Sequence, residues 1–117
     1  MGDGRSDRRG RAAERLAAWL LRLKGYRILE RRLSTPCGEI DLIARRGGVL
    51  VFVEVKRRGE TETALGALGE RQRVRIVRAA ELYLRARPQL AGLASRFDLV
   101  AIGARGWPIH LPDAWRP

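Results

Sequence analysis

A chain of 117 residues has the size of one domain, and its 45% apolar content is enough for a packed core. Lys and Arg number 24 against 13 Asp and Glu, and the net charge of +11 points to a polyanionic partner, nucleic acid before anionic membrane. One Cys and one His exclude an internal disulfide and a Cys/His zinc site, so any metal must be held by oxygen ligands, which suits Mg²⁺ or Mn²⁺. No apolar run reaches membrane-spanning length, and residues 1–11 lack the apolar segment of a secretory signal. A cytoplasmic protein with no membrane partner is the expectation.

Residues 1–10 read as a flexible basic arm and residues 11–117 as a single domain. A helix is predicted over 11–24, where Leu16, Leu20 and Leu23 recur at helical spacing with Ala13 and Ala17, and Gly25 ends it. Glu14 falls on the border of that stripe, on the side of Ala17 and Leu21. Residues 26–32 read as a first strand, and Ser34, Thr35, Pro36, Cys37 and Gly38 as a turn.

Two alternating apolar runs follow, residues 38–45 and 49–56, and Gly47-Gly48 between them signals a tight hairpin. Counting outward from that turn opposes Arg46 to Val49, Ala44 to Val51, Leu42 to Val53 and Ile40 to Val55. The other face then opposes Ile43 to Phe52, Asp41 to Glu54 and Glu39 to Lys56. Directly opposed like charges are destabilising, so a carboxylate pair set among Ile, Val and Phe calls for a cation. Lys56 shares a face with Glu54, two residues away. It is one of only two lysines, the other being Lys24. Two acids and a lysine on one sheet face can hold a divalent metal and handle a phosphate. The competing readings are a solvated pair of surface acids and a Lys56–Glu39 ion pair.

Residues 57–63 are polar and loop-like. Residues 64–87 read as mostly helical, with breaks near Gly66 and Gly69, and Arg71, Arg75, Arg78 and Arg85 share one face. Residues 96–103 read as a fourth strand and 108–111 as a short edge strand or extended tail. Asp98 reads as structural, His110 as a tail residue and Cys37 as a turn thiol. The order α-β-β-β-α-β, with a fifth strand at the end, predicts an α/β fold with a mixed sheet of four to five strands flanked by helices.

A helix bearing an acid, a strand with Asp and a strand ending Glu-x-Lys together resemble the PD-(D/E)xK nuclease superfamily with its restriction-endonuclease-like fold. The match narrows on Ala13-Glu14, Gly25-Tyr26, Gly38-Glu39-Ile40-Asp41-Leu42-Ile43-Ala44, Val51-Phe52-Val53-Glu54-Val55-Lys56-Arg57-Arg58 and Arg96-Phe97-Asp98. These blocks resemble the YraN-like family of small bacterial predicted endonucleases, similar in fold to archaeal Holliday-junction resolvases. The resemblance implies metal ligation by Asp41 and Glu54 with Glu14 as a further acid. It implies that Lys56 orients the attacking water and neutralises phosphate charge. Glu14, Asp41, Glu54 and Lys56 are thus the expected catalytic set. Arg57 and Arg58, with Arg71, Gln72, Arg75 and Arg78 of the second basic helix, are the expected nucleic-acid contacts. The family usually carries Asn where Arg32 stands.

The function expected from these readings is Mg²⁺- or Mn²⁺-dependent hydrolysis of DNA phosphodiesters. DNA is expected over RNA, and branched or structured DNA over a base sequence, because no base-reading element is visible. A homodimer would suit paired cuts in two strands. The alternatives are a non-catalytic nucleic-acid-binding module that keeps the fold, and an assembly factor whose basic surface meets an acidic protein.

Overall fold

Arginine and alanine are good helix formers, and one interior glycine costs only about 1 kcal/mol relative to alanine, so Gly10 does not interrupt the first helix. In the computed structural model, which describes residues 4–57, 69–103 and 105–117 (backbone alone over 4–9), helix α1 spans Gly4–Leu23. Helix therefore begins inside the segment read as a flexible arm; residues 1–3 lie outside the described residues. Its end is built by Gly25 at φ 92°: the Tyr26 N–H reaches the Leu21 carbonyl at 2.9 Å and the Gly25 N–H the Arg22 carbonyl at 3.0 Å. This is the left-handed glycine cap that satisfies the last helical carbonyls.

The buried stripe of α1 is Ala13, Glu14, Ala17, Ala18 and Leu21, while Leu23 is 65% exposed. The expected leucine stripe is thus rotated. Alanine lets the helix axis approach the sheet closely, and that rotation carries Glu14 from the border into the interface.

Five strands form one sheet in the order β1-β2-β3-β4-β5: β1 Arg27–Thr35, β2 Gly38–Arg46, β3 Val49–Lys56, β4 Ala94–Ile102 and β5 Pro108–Trp115. Only β3 and β4 are parallel. Such a pair needs a crossover, and helix α2, Glu70–Arg85, lies within it. The mixed α/β sheet flanked by helices is as expected. The expected loop over 58–63, and the part of the expected helix over 64–68, lie outside the described residues. Gly69 is the N-cap of α2, so this helix begins at the expected break. A short 3-10 turn, Pro88–Leu90, leads toward β4. No helix of the described residues is long and apolar enough to cross a membrane.

Each sheet face has its own core. Ala17, Ala18 and Leu21 of α1 pack with Leu42, Ala44, Val51, Val53 and Val100 on one face. Ile76, Ala79, Ala80 and Tyr83 of α2 pack with Ile43, Leu50, Phe52 and Phe97 on the other. Covered on both sides, β3 is buried from Leu50 through Glu54, which is why it reads as a near-continuous apolar run.

Two termini of the expected elements move outward. β1 continues through Ser34 and Thr35, where the Thr35 hydroxyl accepts the Cys37 and Gly38 N–H groups at 3.1 Å each and so makes the turn itself. β5 runs on to Trp115. It is tied to β4 by Asp98, which is fully buried and accepts hydrogen bonds from Arg96 Nε and Nη2 at 2.8 Å each, from His110 Nε2 at 2.6 Å and from the Asp113 N–H at 2.9 Å. The other ring nitrogen of His110 lies 2.9 Å from Lys24 Nζ. A lysine ammonium only donates, so Nδ1 accepts and Nε2 carries the hydrogen given to Asp98. His110 is thus a buried tie between β5 and the end of α1, not a tail residue.

Candidate hydrolytic site

The hairpin counts out as predicted from Arg46↔Val49 through Leu42↔Val53, and there its ladder ends. Beyond it Asp41 Oδ2 accepts the Val55 N–H at 2.8 Å, the donor that a regular ladder would give to the Ile40 carbonyl. The alternation breaks with it: Leu42 stays with the α1 core, while Ile40 joins the α2 core beside Ile43. The expected oppositions Ile40–Val55, Asp41–Glu54 and Glu39–Lys56 are therefore replaced by a local splay of two strands. Glu39 pairs with Ser34 of β1 instead, and Lys56 with Ala101 of β4.

The splay brings together what the register count aimed to oppose. The Asp41 and Glu54 carboxyls lie close enough for each to act on the ionisation of the other. Both line a cleft of about 190 Å³ with Glu14, Arg32, Glu39, Lys56 and Arg57. Glu54 is 8% exposed and Glu14 likewise 8%. The Lys56 ammonium lies 3.3 Å from Glu54 Oε1, not on Glu39. Gln72 of α2 donates to the same Glu54 oxygen at 2.9 Å and accepts from Lys56 at 3.4 Å, so one amide locks the acid and the lysine together. Gln72, expected at the nucleic acid, thus bridges the acid and the lysine of the cleft wall, a contact visible only once α2 is laid against β3.

Arg32 completes the wall. Its backbone is left-handed, φ 49°, a region where Asn is far more at home than Arg. Its guanidinium sits 3.5 Å from Glu14 Oε2 and 3.7 Å from Glu39. Sequence reading marked position 32 only as a departure from the family's Asn. Glu14 Oε1, in contrast, is buried with no hydrogen-bond partner.

Crowding of desolvated carboxyls has the expected electrostatic result. Burial first, and the Asp41 charge second, raise Glu54 to about 8 and Glu14 to about 7. Burial also pushes Asp41 upward. Among the described residues no three His, Cys, Asp or Glu side chains are already arranged as a complete metal set. The donors do fit a hard cation held by the Asp41–Glu54 pair with water filling its shell, the usual manner of binding Mg²⁺. The unpartnered oxygen of Glu14 suits that water shell.

A pH dependence follows. The unfolded carboxyls release protons near 4.5, whereas the folded ones hold theirs to about 7 and 8. The folded chain then binds more protons between those values. The contribution of these two carboxyls to stability is full below about pH 4.5 and is lost as pH rises toward 8. In chelator the two carboxyls together are expected to cost several kcal/mol of stability between pH 5 and 8. Thermal melts of the wild type and Glu54→Gln across that range check it: the variant should show a flatter curve, and parallel curves would contradict the assignment.

Arg71, Arg75 and Arg78 are exposed on α2, and Arg75 lies beside Gly38 at the β1–β2 turn. Arg57 lines the cleft. Arg58 lies outside the described residues.

Comparison with known proteins agrees with the resemblance at the level of family. The model of the uncharacterised protein family UPF0102 matches residues 13–102. A UPF0102 protein of Parvibaculum lavamentivorans is 57% identical over 110 residues, covering 94% of this chain and 83% of that one. A UPF0102 protein of Maricaulis maris is 50% identical over 113 residues, with 96% and 88% covered. One from Paramagnetospirillum magneticum is 49% identical over 115 residues, with 95% and 89% covered. The matched span holds every residue of the cleft machinery from Glu14 to Gln72, and the chain belongs to the UPF0102 family.

Proposed function

We propose that the chain is a divalent-metal-dependent endonuclease of the PD-(D/E)xK type, acting on DNA phosphodiesters and selecting branched or structured DNA by shape. The observation that carries this reading is the convergence of Asp41, Glu54 and Lys56 in one cleft, with an unpartnered Glu14 oxygen in its wall. Asp41 and Glu54 would hold Mg²⁺ or Mn²⁺ and Glu14 its water shell. When bound, such an ion polarises a phosphoryl oxygen and lowers the pKa of a ligating water. Lys56 places its ammonium where an attacking water and a phosphate oxygen would meet, and neutralises charge gathering there. Gln72 fixes the Lys56–Glu54 geometry, so that the lysine is positioned before substrate arrives. The splay contributes rigidity: Asp41 is held by the β3 backbone itself rather than by a mobile partner.

The arginine surface would supply contacts to the phosphate backbone that fix register without reading bases. Affinity for DNA is therefore expected to fall steeply with salt. Replacing Arg71, Arg75 and Arg78 by Gln should weaken binding to all sequences alike and reduce the slope of log K against log salt by roughly 0.9 for each phosphate no longer neutralised. An unchanged slope in the triple variant assigns these arginines to a merely solvated face. The reading as a whole is tested by Mn²⁺ titration followed by calorimetry. Saturable binding to the wild type, abolished in Asp41→Asn, is the expected result; equal binding by both would remove the metal site from this cleft.

A further inference from the structure

Trp107 is 71% exposed and Trp19 53% exposed, whereas Trp115 is buried. Single apolar residues on a surface are common; Trp107 differs in how it is held and where it stands. It follows the β4–β5 turn, in which Gly106 takes φ 77° and its N–H donates to the Gly103 carbonyl at 3.0 Å. The Gly103 N–H then donates to the Trp107 carbonyl at 3.1 Å, one rung beyond the Ile102↔Pro108 pair of the ladder. The sheet thus holds the backbone of Trp107. Its ring meets no other ring and no arginine among the described residues, and its plane is left open to solvent.

Register places the indole beside the carboxylate cleft. β3 and β4 are parallel, so the turn after β4 lies at the end of the sheet where β3 delivers Glu54 and Lys56. Lys56 pairs with Ala101, and Ala101 with Ile109. Residues opposed across a sheet point to one face, so Ile109 shares the face of Lys56, two strand spacings or about 10 Å away. Trp107 stands two residues before Ile109, and the added rung carries the alternation to it, so it belongs to the same face. Ile109, 54% exposed, gives the ring an apolar neighbour. Arg105 of the turn is exposed, and Lys56 and Arg57 line the cleft. An open aromatic plane with cations at the turn and at the cleft matches a nucleic-acid strand, whose bases stack while its phosphates meet the charges. A second copy of this chain fits less well, because two molecules of net charge +11 repel.

We propose that the Trp107 indole stacks on an unpaired base of a DNA strand that runs to the cleft, and so favours open or branched strands over intact duplex. This rests on the reading of the chain as a nucleic-acid binder and not on hydrolysis. A base inside a duplex has both faces covered by its neighbours, so an unpaired base is the one that offers its plane. Every base has such a plane, so stacking selects the shape of the strand and not its sequence. Two strand spacings across and two residues along put the Lys56 and Trp107 backbones on the order of 12 Å apart. A strand rising 3.4 Å per nucleotide covers that distance in about four nucleotides. The cleft would thus act a few nucleotides from the stacked base.

The test uses the full chain in chelator, with Trp19→Phe making Trp107 the exposed fluorophore. The probes are a short oligothymidylate, an abasic strand of the same length and phosphate number, and a blunt duplex. Saturable quenching of tryptophan emission by the oligothymidylate is expected, with the abasic strand binding more weakly and leaving the emission unchanged. Affinities are read in parallel from the anisotropy of labelled DNA. Trp107→Ala should weaken oligothymidylate binding at least about fivefold, which is about 1 kcal/mol, and duplex binding less than about twofold. Trp107→Phe should restore most of the loss, and Trp19→Ala should leave every affinity in place. Absent quenching, equal affinity for the abasic strand, unchanged oligothymidylate affinity in Trp107→Ala, or an equal loss on duplex would each overturn the proposal. A wild type that binds these DNAs with no regard to Trp107 sinks this proposal alone, whereas one that binds none of them sinks the nucleic-acid reading with it. No metal is present, so failure of cleavage leaves the result intact.

Discussion

Replacing Asp98 by alanine is expected to destabilise the chain by about 3–5 kcal/mol, the cost of removing one partner from a buried, hydrogen-bonded ion pair. The carboxylate is fully buried, and four donors from Arg96, His110 and the Asp113 backbone would lose their acceptor together. Against a total stability of about 5–15 kcal/mol such a loss is large. Burial by itself would raise the Asp98 pKa; the hydrogen bonds of Arg96, His110 and Asp113 outweigh it and hold the group at about 2. A depressed carboxylate stabilises above its unfolded pKa, and that contribution is lost as pH falls through about 4 to 2. Denaturant melts should show the destabilisation at neutral pH and its disappearance near pH 2. Hydrogen exchange should place the first loosening in β5, because Asp98 joins β4 to β5 where the ladder shifts between Phe97 and Leu99. A loss below about 1 kcal/mol would mean that Asp98 is a bystander.

Glu54→Gln and Lys56→Ala are each expected to reduce metal-dependent cleavage by roughly a thousandfold, the scale seen when one electrostatic stabiliser is removed from a reacting centre. They should do so by different routes. Glu54→Gln keeps the side-chain shape but removes a charge from the pair proposed to hold the metal, and it relieves a buried like-charge contact. Its melting temperature in chelator at pH 8 should therefore rise while Mn²⁺ binding falls. Lys56→Ala leaves both carboxylates and should keep metal binding. It removes the cation 3.3 Å from Glu54, so its stability in chelator should fall. Opposite stability changes with the same loss of turnover would separate ligation from placement of the water. Equal metal affinity in wild type and Glu54→Gln would contradict the assigned roles.

The hairpin was legible because Gly47-Gly48 and two alternating runs leave few registers open, and a slip by one residue would turn every side chain over. The count holds through Leu42↔Val53. It fails at Asp41 because a carboxylate that captures a backbone N–H of the next strand has no periodic signature. The acids still meet, by a route that register alone does not contain. That Glu14 stands near Asp41 and Glu54 was legible through the resemblance, but its depth was not: leucines suggested one stripe, and close packing of Ala13, Ala17 and Ala18 chose another. The left-handed backbone of Arg32 and the bridge made by Gln72 both depend on tertiary contacts between elements far apart in the chain. His110 and the far end of β5 escaped for the same reason. Pro112 and Asp113 are poor strand formers, and what keeps them in the sheet is the buried Asp98 of the neighbouring strand.

The most direct test of the account is cleavage of a panel of four-way junction, flapped, single-stranded and duplex DNAs. Wild type and Glu54→Gln are purified in parallel and assayed in Mg²⁺, Mn²⁺ or chelator. The account predicts nicking by the wild type in Mg²⁺ or Mn²⁺, strongest on branched or flapped substrates, and none in chelator or with Glu54→Gln. Binding of the same DNAs by the wild type with no cut on any substrate at millimolar Mg²⁺ or Mn²⁺, or equal cutting by the two proteins, would contradict it and leave a nucleic-acid-binding module in its place.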